Sequence, residues 1–227
     1  MNRLRFTSIA TERDVRLAVV EAGRIAYERG LLTSNNGNIS ARLGTDKLVI
    51  TPSGMCKGRM EPEDLLVMDL AGNVLKAVAR RKLRPSSETP MHLEVYRRRS
   101  DVRAAIHAHP IWATALTVAD VGFPTDVLPE VLEGTGEVPT TEFATPSSDE
   151  DARAIRTLIR THDAILLRQH GSLTVGKDLD EALNHLERVE SVAQTFLLAR
   201  LAGEVHRVPP EVLPRLKKLY AKMKGGE

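Results

Sequence analysis

Two histidines two positions apart stand at the end of a short apolar run, in the segment Ala105-Ile106-His107-Ala108-His109-Pro110. The apolar run and the closing proline predict the end of a β-strand. Because side chains alternate between the two faces of a strand, His107 and His109 point the same way. Two imidazoles on one face are suited to binding a metal ion. Such a pair is more often incidental than functional, so a metal site needs support from elsewhere in the chain.

Two further residues give that support. His170 follows the apolar run at residues 164–167, which predicts a buried strand and puts a third histidine at a strand end. Glu88 follows Ser86 and Ser87 and precedes a predicted helix, where it is either an ordinary capping carboxylate or a catalytic one. Catalytic zinc commonly keeps three protein ligands and one open position. The three histidines can therefore bind the metal, with Glu88 as proton-transfer group or as a fourth ligand that the substrate displaces.

The elements that must position these residues are short strands and helices. Three strands joined by tight turns indicate an antiparallel sheet; they cover residues 39–43, 48–50 and 65–68. Thr11 is predicted to cap a first helix, and Asp178 a long helix from Leu179 to Leu201. Further helices are predicted after Pro90, over 112–118, after Ser148 and over 211–223. The fold class is therefore α/β, a three-layer α/β/α sandwich with a central, mainly antiparallel sheet.

The other histidines stand in predicted helices or loops without a partner pattern. We assign no chemistry to them; they are His92, His162, His185 and His206. His92 in particular is interpreted as an ordinary residue on the face of the helix that follows Pro90. These positions leave the three strand-end histidines as the candidates for chemistry.

Composition bounds the class of protein. The chain has 227 residues, 42% of them hydrophobic and 27% charged, which is enough for a sizeable buried core. No repeat or low-complexity linker divides it, so we expect one domain over residues 1–227. Thirty-two basic against thirty acidic residues argue against nucleic acids and membrane surfaces as partners. The single cysteine, Cys56, and the lack of a leader or membrane-spanning run favour a cytoplasmic protein.

Two loops are rich in small polar residues, at 32–40 and 51–54. Taken alone, the first favours a turn over an anion-binding cradle, because Asn and Ser dominate turns. Five motifs in order, however, resemble the class II aldolase/adducin family, and among its members especially the L-fuculose-1-phosphate aldolases, across roughly residues 15–201. The motifs are Gly37-Asn38-Ile39-Ser40, Thr51-Pro52-Ser53-Gly54, Pro85-Ser86-Ser87-Glu88, His107-Ala108-His109 and Gln169-His170-Gly171.

The resemblance implies a site and a reaction. It implies one zinc ion per subunit at the three histidines, with other divalent metals also possible, and Glu88 as the catalytic acid/base. It implies a phosphate site, replacing the turn interpretation, at Asn35, Asn38, Ser53, Gly54, Ser86 and Ser87. It implies a homotetramer with active sites between subunits, acting on a small sugar phosphate. The implied reaction cleaves a ketose-1-phosphate, such as fuculose-1-phosphate, to dihydroxyacetone phosphate and an aldehyde through a metal-stabilised enediolate.

The sequence departs from the fuculose enzymes at one position. Those enzymes have a tyrosine that protonates the aldehyde oxygen from a neighbouring subunit, whereas the aligned residue here is Leu128, with no tyrosine near it. Glu130 is our candidate for that acid role. The same site would serve a methylthioribulose-1-phosphate dehydratase or a pentulose-phosphate 4-epimerase, and the product would discriminate among them. A non-catalytic adducin-like module is less favoured, because the chain keeps all three histidines and the glutamate.

Overall fold

The centre of the fold is a seven-stranded sheet, seen in a computed structural model that describes residues 4–5, 10–77, 82–216 and 218–219. The strands are β1 (Asn38–Leu43), β2 (Lys47–Ile50), β3 (Leu66–Asp69), β4 (Val74–Lys76), β5 (Ala104–Ala108), β6 (Ala164–Leu167) and β7 (Gly171–Gly176). Their order across the sheet is β4-β3-β2-β1-β5-β7-β6. Every neighbouring pair is antiparallel, so the predicted mainly antiparallel sheet is confirmed.

Helices surround this sheet. They are α1 (Glu12–Glu28), α2 (Thr89–Arg98), α3 (Ile111–Val118), α4 (Pro129–Glu133), α5 (Asp149–Ile155) and α6 (Leu179–Ala202). Thr11 caps α1 and Asp178 caps α6, each side chain accepting a hydrogen bond from a backbone N–H, as predicted. The predicted terminal helix is helical at 213–216, and its residues 217 and 220–223 lie outside the described part of the chain. No described helix is both long and apolar enough to cross a membrane.

Alternation along the strands divides the core into layers. Ala104, Ile106 and Ala108 of β5 pack with apolar residues of α1 and α6 on one face of the sheet. Ala105 packs on the other face with apolar residues of α2 and with one residue of α5. Helices on both faces of one sheet make the predicted three-layer sandwich, which is confirmed. His107 has the same parity as Ala105, so it points to the α2 side.

The strands β4 and β7 are missing from the sequence-based prediction. β7 pairs with both β5 and β6. Its pairing with β6 makes a hairpin, and His170 therefore lies in the turn of that hairpin, next to the start of β7. Since β5 is the neighbour of β7, this turn comes to the end of β5 that carries the histidine pair.

Candidate active site

The three histidines predicted to bind a metal ion converge in the structure with Glu88, the predicted acid/base or displaceable fourth ligand. The histidines are His107, His109 and His170. The potential ligand atoms of all four side chains lie within 4.8 Å of one another. Oε1 of Glu88 lies 3.3 Å from Nε2 of His107 and 3.0 Å from Nε2 of His170. Nε2 of His109 lies 3.0 Å from Nε2 of His107. His107 is fully buried and Glu88 is 9% exposed, so the cluster is largely shielded from solvent.

Strand ends and turns bring the three histidines together. His107 lies within β5, where it is opposite Asn38 of β1 on one side and Leu173 of β7 on the other. His109 follows two residues later, just beyond the strand, and His170 lies in the β6–β7 turn. One imidazole is thus held within a central strand, and the other two lie directly beside the ends of β5 and β7.

Two glycines allow neighbouring loops to approach this end of β5. A Cβ atom on Gly171 would lie 2.3 Å from the carbonyl oxygen of Ala108 and 2.9 Å from Cδ2 of His109. A Cβ atom on Gly37, whose φ is +70°, would lie 2.6 Å from the carbonyl oxygen of His107. A larger residue would be excluded at both positions, and the backbone of Gly37 also favours glycine. The glycines of these two motifs therefore permit close packing beside the histidines.

Hydrogen bonding defines which nitrogen of His107 faces the cluster. Its Nδ1 lies 2.9 Å from the carbonyl oxygen of Ser172, which can only accept. Nδ1 therefore carries the proton, and Nε2 keeps its lone pair for a metal ion. Nδ1 of His170 is buried without a hydrogen-bond partner among the described residues, and Oδ1 of Asp151 lies 4.0 Å from it. A carboxylate beside the outer nitrogen of a metal-binding histidine commonly orients the ring.

The electrostatics favour a charged carboxylate beside a neutral imidazole. Burial acts to raise the pKa of Glu88, but hydrogen bonding and charge interactions with His107 and His170, with a further hydrogen bond from Asn38, hold that pKa well below its usual value. Burial, followed by the charges of His107 and His170, lowers the pKa of His109 to about 4. At neutral pH the cluster therefore offers a negative carboxylate and an unprotonated His109 ring.

The donor set fits a divalent metal ion. Tetrahedral zinc with Zn–N bonds of about 2.0–2.1 Å separates neighbouring ligand atoms by roughly 3.3 Å. Three of the separations among the four side chains, at 3.0 to 3.3 Å, are close to this value, and every pair of ligand atoms lies within 4.8 Å. Three imidazoles and one carboxylate are a ligand set that several divalent ions accept. Glu88, His107, His109 and His170 could therefore hold a metal ion.

A chain of hydrogen bonds runs from Glu88 into the core. Nδ2 of Asn38 donates to Oε2 of Glu88 over 2.6 Å, and Oδ1 of the same amide contacts Nε2 of His92. Nδ1 of His92 lies 2.6 Å from Oγ of Ser40, which lies 2.8 Å from the hydroxyl of Tyr96. His92 is fully buried, and burial, followed by the charge of His107, lowers its pKa to about 3.

The donor and acceptor of each hydrogen bond in this series can be assigned by starting from the carboxylate of Glu88. A carboxylate that is ionised only accepts, so the amide nitrogen of Asn38 faces Glu88 and the amide oxygen must accept from His92. His92 is therefore neutral and protonated at Nε2, while its Nδ1 accepts from the hydroxyl of Ser40. The oxygen of Ser40 can then accept from Tyr96. His92 thus holds the amide of Asn38 in the orientation that donates to Glu88.

The predicted phosphate residues lie on loops near the cluster, except for Asn38, which begins β1. The loop with Ser53 and Gly54 runs beside the loop with Ser86 and Ser87, joined by an antiparallel bridge between their prolines. The backbone N–H of Ser53 also donates across to the second loop over 2.9 Å. Oγ of Ser87 donates to Oγ of Ser147 over 2.7 Å.

The loop that joins α1 to β1 also leads to Glu88. Asn38 donates to Oγ of Ser86 over 3.3 Å as well as to Glu88. Asn35 is exposed, and its carbonyl oxygen accepts a hydrogen bond of 2.6 Å from Nζ of Lys57. The structure thus brings Asn38 and Ser86 directly to Glu88, and it leaves Asn35 further out on the loop.

Glu130 stands apart from these residues. It lies in the first turn of α4 and is exposed, and Leu128 precedes the helix as its N-cap. Within the described ranges, the group of possible metal ligands consists of Glu88 and the three histidines and does not include Glu130.

Sequence reasoning missed three buried polar residues around the site: His92, Asp151 and Lys57. One signal was available for His92, because it stands four residues after Glu88, a spacing that brings side chains to one side of a helix. Asp151 resembles an ordinary acidic residue in the first turn of a helix. Nothing in the local sequence distinguishes Lys57 from a surface lysine.

A seven-stranded antiparallel sheet between two helical layers, with a Glu/His₃ cluster at its strand ends, defines the architecture of this chain. The family described as "Class II Aldolase and Adducin N-terminal domain" matches residues 17–197, and the chain therefore belongs to it.

Three relatives illustrate the range of reactions near this chain. A 3-oxo-tetronate 4-phosphate decarboxylase of Haemophilus influenzae is 31% identical over 78% of this chain and 84% of its own length. A methylthioribulose-1-phosphate dehydratase of Methylococcus capsulatus is 34% identical over 79% of this chain and 92% of its own. A solved L-fuculose 1-phosphate aldolase is 30% identical, with a TM-score of 0.83, covering 95% of this chain and 100% of its own. Three reactions share the family, so the reaction must be inferred from the site.

Proposed function

We propose that the protein is a zinc-dependent class II aldolase, an aldehyde-lyase that cleaves a ketose-1-phosphate such as fuculose-1-phosphate to dihydroxyacetone phosphate and an aldehyde. The observation that carries this proposal is the convergence of Glu88 with three histidines, with Oε1 of Glu88 3.0 Å from Nε2 of His170. A carboxylate so close to the metal ligands is within reach of a substrate carbon next to the ion. The solved fuculose-phosphate aldolase among the relatives supports the same assignment.

The roles of the residues follow from this geometry. His107, His109 and His170 would hold a divalent ion, which would supply Lewis-acid stabilisation for negative charge on the substrate oxygens. Glu88, ionised in the resting site, takes up and returns the proton at the reacting carbon. Asn38 orients that carboxylate through its 2.6 Å hydrogen bond. The burial of the cluster excludes water and strengthens each of these electrostatic interactions.

The phosphate group of the substrate is held, in this proposal, by small polar residues on three loops. Hydroxyl, amide and backbone N–H donors suit an anion, and fixing the phosphate fixes the reacting carbon beside Glu88. The hydrogen bonds that link these loops to one another and to Glu88 support a common site. The residues are Asn35, Asn38, Ser53, Gly54, Ser86 and Ser87.

Metal content and product together test the proposal. Elemental analysis of wild type and of His109→Ala accompanies retro-aldol assays on fuculose-1-phosphate and ribulose-1-phosphate. We expect about one zinc ion per subunit in wild type, its loss in His109→Ala, and dihydroxyacetone phosphate from wild type alone. Glu88→Gln is the matched variant: it should retain most of the metal and lose about 100-fold or more in turnover. Wild type without metal, and inactive after metal is added back, would overturn the proposal.

A dehydratase or decarboxylase is the second candidate. It is favoured by the departure at Leu128, where the tyrosine of the fuculose enzymes is absent. The acidic Glu130 near that position would suit a dehydratase as well as an aldolase. When a substrate loses water or carbon dioxide at a carbon next to a carbonyl group, negative charge also develops on the carbonyl oxygen. The same Glu/His₃ cluster could stabilise that charge. A dehydrated ketone or released carbon dioxide, in place of an aldehyde, would move the assignment to this candidate. An inverted sugar would indicate the 4-epimerase.

Glu130 takes the acid role at the aldehyde oxygen in this proposal, acting from a neighbouring subunit. Its exposure and its position outside the cluster of its own chain accord with that role. Glu130→Gln should lower turnover about 100-fold with the metal content unchanged. Glu137→Gln is the control, since the side chain of Glu137 is 79% exposed. Unchanged turnover in Glu130→Gln would remove Glu130 from the mechanism.

A homotetramer would bring such a residue to the site. Large apolar side chains that are exposed in the single chain support an assembly that covers them; they include Ile111, Val118, Phe143, Leu198 and Leu201. Light scattering on the purified protein should give the mass of four 25.0 kDa chains. The free Cys56 accords with the cytoplasmic location that we also propose.

A further inference from the structure

Lys57 is a buried lysine to which the proposed mechanism assigns no role. It is 2% exposed and begins a short 3-10 helix, Lys57–Arg59. Lysine is almost never fully buried unless it is paired, because an ammonium ion loses much hydration on burial. In the part of the chain that the structure describes, its ammonium group forms no ion pair, and its hydrogen bond goes to the carbonyl oxygen of Asn35.

The backbone of Lys57 is fixed by close packing against α1. A Cβ atom on Gly23 of α1 would lie 2.6 Å from the carbonyl oxygen of Lys57. A Cβ atom on Gly58 would lie 2.4 Å from the ring of Tyr27. Two glycines thus permit a contact that larger residues would prevent, and this contact fixes the backbone from which the lysine side chain extends. Lys57 is therefore a positioned cation, unlike a surface lysine.

The side chain of Lys57 ends on the loop that leads to the candidate active site, close enough for its charge to act on His109. Asn35, which it contacts, lies on the loop that continues to Asn38 and so to the carboxylate of Glu88. The charge of Lys57 contributes to lowering the pKa of His109, and the charge of Glu88 acts to raise the pKa of Lys57. Residues 33–36 of the loop are exposed, so a ligand can approach from that side.

An ammonium group has three hydrogens to donate, and the carbonyl of Asn35 takes one of them. A buried cation with two donors left over and no carboxylate partner is suited to an anionic ligand. We propose that Lys57 is a further substrate-binding residue, which donates to the phosphate group of the substrate and supplies the positive charge of the phosphate site. The inference rests on the proposed phosphate-bearing substrate.

Binding of inorganic phosphate to the metal-loaded protein tests this role. Isothermal titration compares wild type with Lys57→Met, which keeps the length of the side chain without its charge, and with Lys57→Arg. Lys177→Met is the control, since the side chain of Lys177 is 73% exposed. We expect Lys57→Met to weaken phosphate binding about 10- to 100-fold and Lys57→Arg to retain most of it. Metal content and the affinity of Lys177→Met should equal those of wild type.

The outcomes separate this inference from the proposed function. Wild-type phosphate affinity in Lys57→Met would overturn the inference and leave the aldolase proposal standing. Equal losses in Lys57→Met and Lys57→Arg would also overturn it, because they would show that Lys57 only holds the Asn35 loop. No phosphate binding in wild type would instead overturn the phosphate-bearing substrate itself.

A second measurement applies if Lys57→Met does not fold. Burial lowers the pKa of Lys57 to about 8, so wild type should lose phosphate affinity between pH 7 and 9.5 as the amine deprotonates. Lys57→Arg should not lose it, because the guanidinium stays charged. The other charged or titratable groups that act on this position are Glu88, Cys56 and His109. They are present in both proteins, so parallel pH profiles would overturn the inference.

Discussion

Replacement of His92 by leucine tests whether the buried hydrogen-bond chain controls Glu88. His92 does not reach the cluster, and its contacts are to Oδ1 of Asn38 and Oγ of Ser40. Leucine has a similar size and cannot donate or accept a hydrogen bond. The amide of Asn38 then loses the partner that fixes which of its ends faces Glu88. If the amide of Asn38 flips by 180°, its oxygen faces the carboxylate of Glu88. The hydrogen bond between Asn38 and Glu88 is then replaced by repulsion between two oxygen atoms.

The magnitude follows from the groups left unpaired. Oδ1 of Asn38 and the hydroxyl of Ser40 lose buried partners, and each such loss costs about 1–3 kcal/mol. The leucine side chain offsets part of this through apolar burial, so we expect the free energy of unfolding to fall by about 2–4 kcal/mol. A displacement of Glu88 of about 1 Å would lower turnover about 100-fold.

Urea unfolding, metal analysis and turnover measure these effects separately. His185→Leu is the matched control: His185 is also a buried helix histidine, but it bonds the carbonyl oxygen of Val175 over 2.8 Å and lies on α6. It should lose stability and keep turnover. His92→Gln, which keeps a donor, should recover part of the activity. Wild-type turnover in His92→Leu, with stability lost as in the control, would refute the claim that His92 positions Glu88.

Two further predictions concern pH and the metal. The folded protein keeps His92 neutral with a pKa of about 3, so below pH 6.5 the unfolded chain binds a proton that the folded chain does not, and stability falls as pH falls. Between pH 7 and 5 the proton that the unfolded chain binds at His92 costs about 2 kcal/mol in urea unfolding of metal-free wild type. His92→Gln should therefore lose less stability than wild type by about this amount, because the other histidines with lowered pKa, such as His109, are present in both proteins. Asp151→Ala should weaken metal binding about 10- to 100-fold in chelator competition, with Asp149→Ala unchanged; equal affinities would remove Asp151 from support of His170.

The candidate metal site could be predicted because its geometry is local. Strand alternation alone puts His107 and His109 on one face. The prediction for His170 needed one further assumption, that the strand before it lies near β5. In the structure that strand is β6, and β7 lies between it and β5. β7 itself was hidden because glycines at both of its ends resemble turns. Its buried Thr174 donates to the carbonyl oxygen of Ala182 on α6 over 3.0 Å, a contact that no local pattern reveals.

The surroundings of the site could not be predicted because they depend on contacts distant in sequence. Asn38 and Glu88 are separated by 50 residues, and their hydrogen bond exists only once β1 lies beside the start of α2. The burial of Lys57 depends on Gly23, which admits the 3-10 helix to the face of α1. A lysine or a histidine has the same local signature in either environment, so only the packing distinguishes a functional group from an ordinary one.

The charges of the proposed complex give a reason for a cation at Lys57. A divalent metal ion beside an ionised Glu88 leaves one net positive charge among neutral imidazoles. A phosphate dianion turns that into one net negative charge inside a largely buried site, where an uncompensated charge is costly. The ammonium of Lys57 offsets this negative charge of the ion, Glu88 and the phosphate. Hydroxyl and amide groups can orient a phosphate, but they cannot supply this charge, so the loops and Lys57 have different and complementary effects on binding.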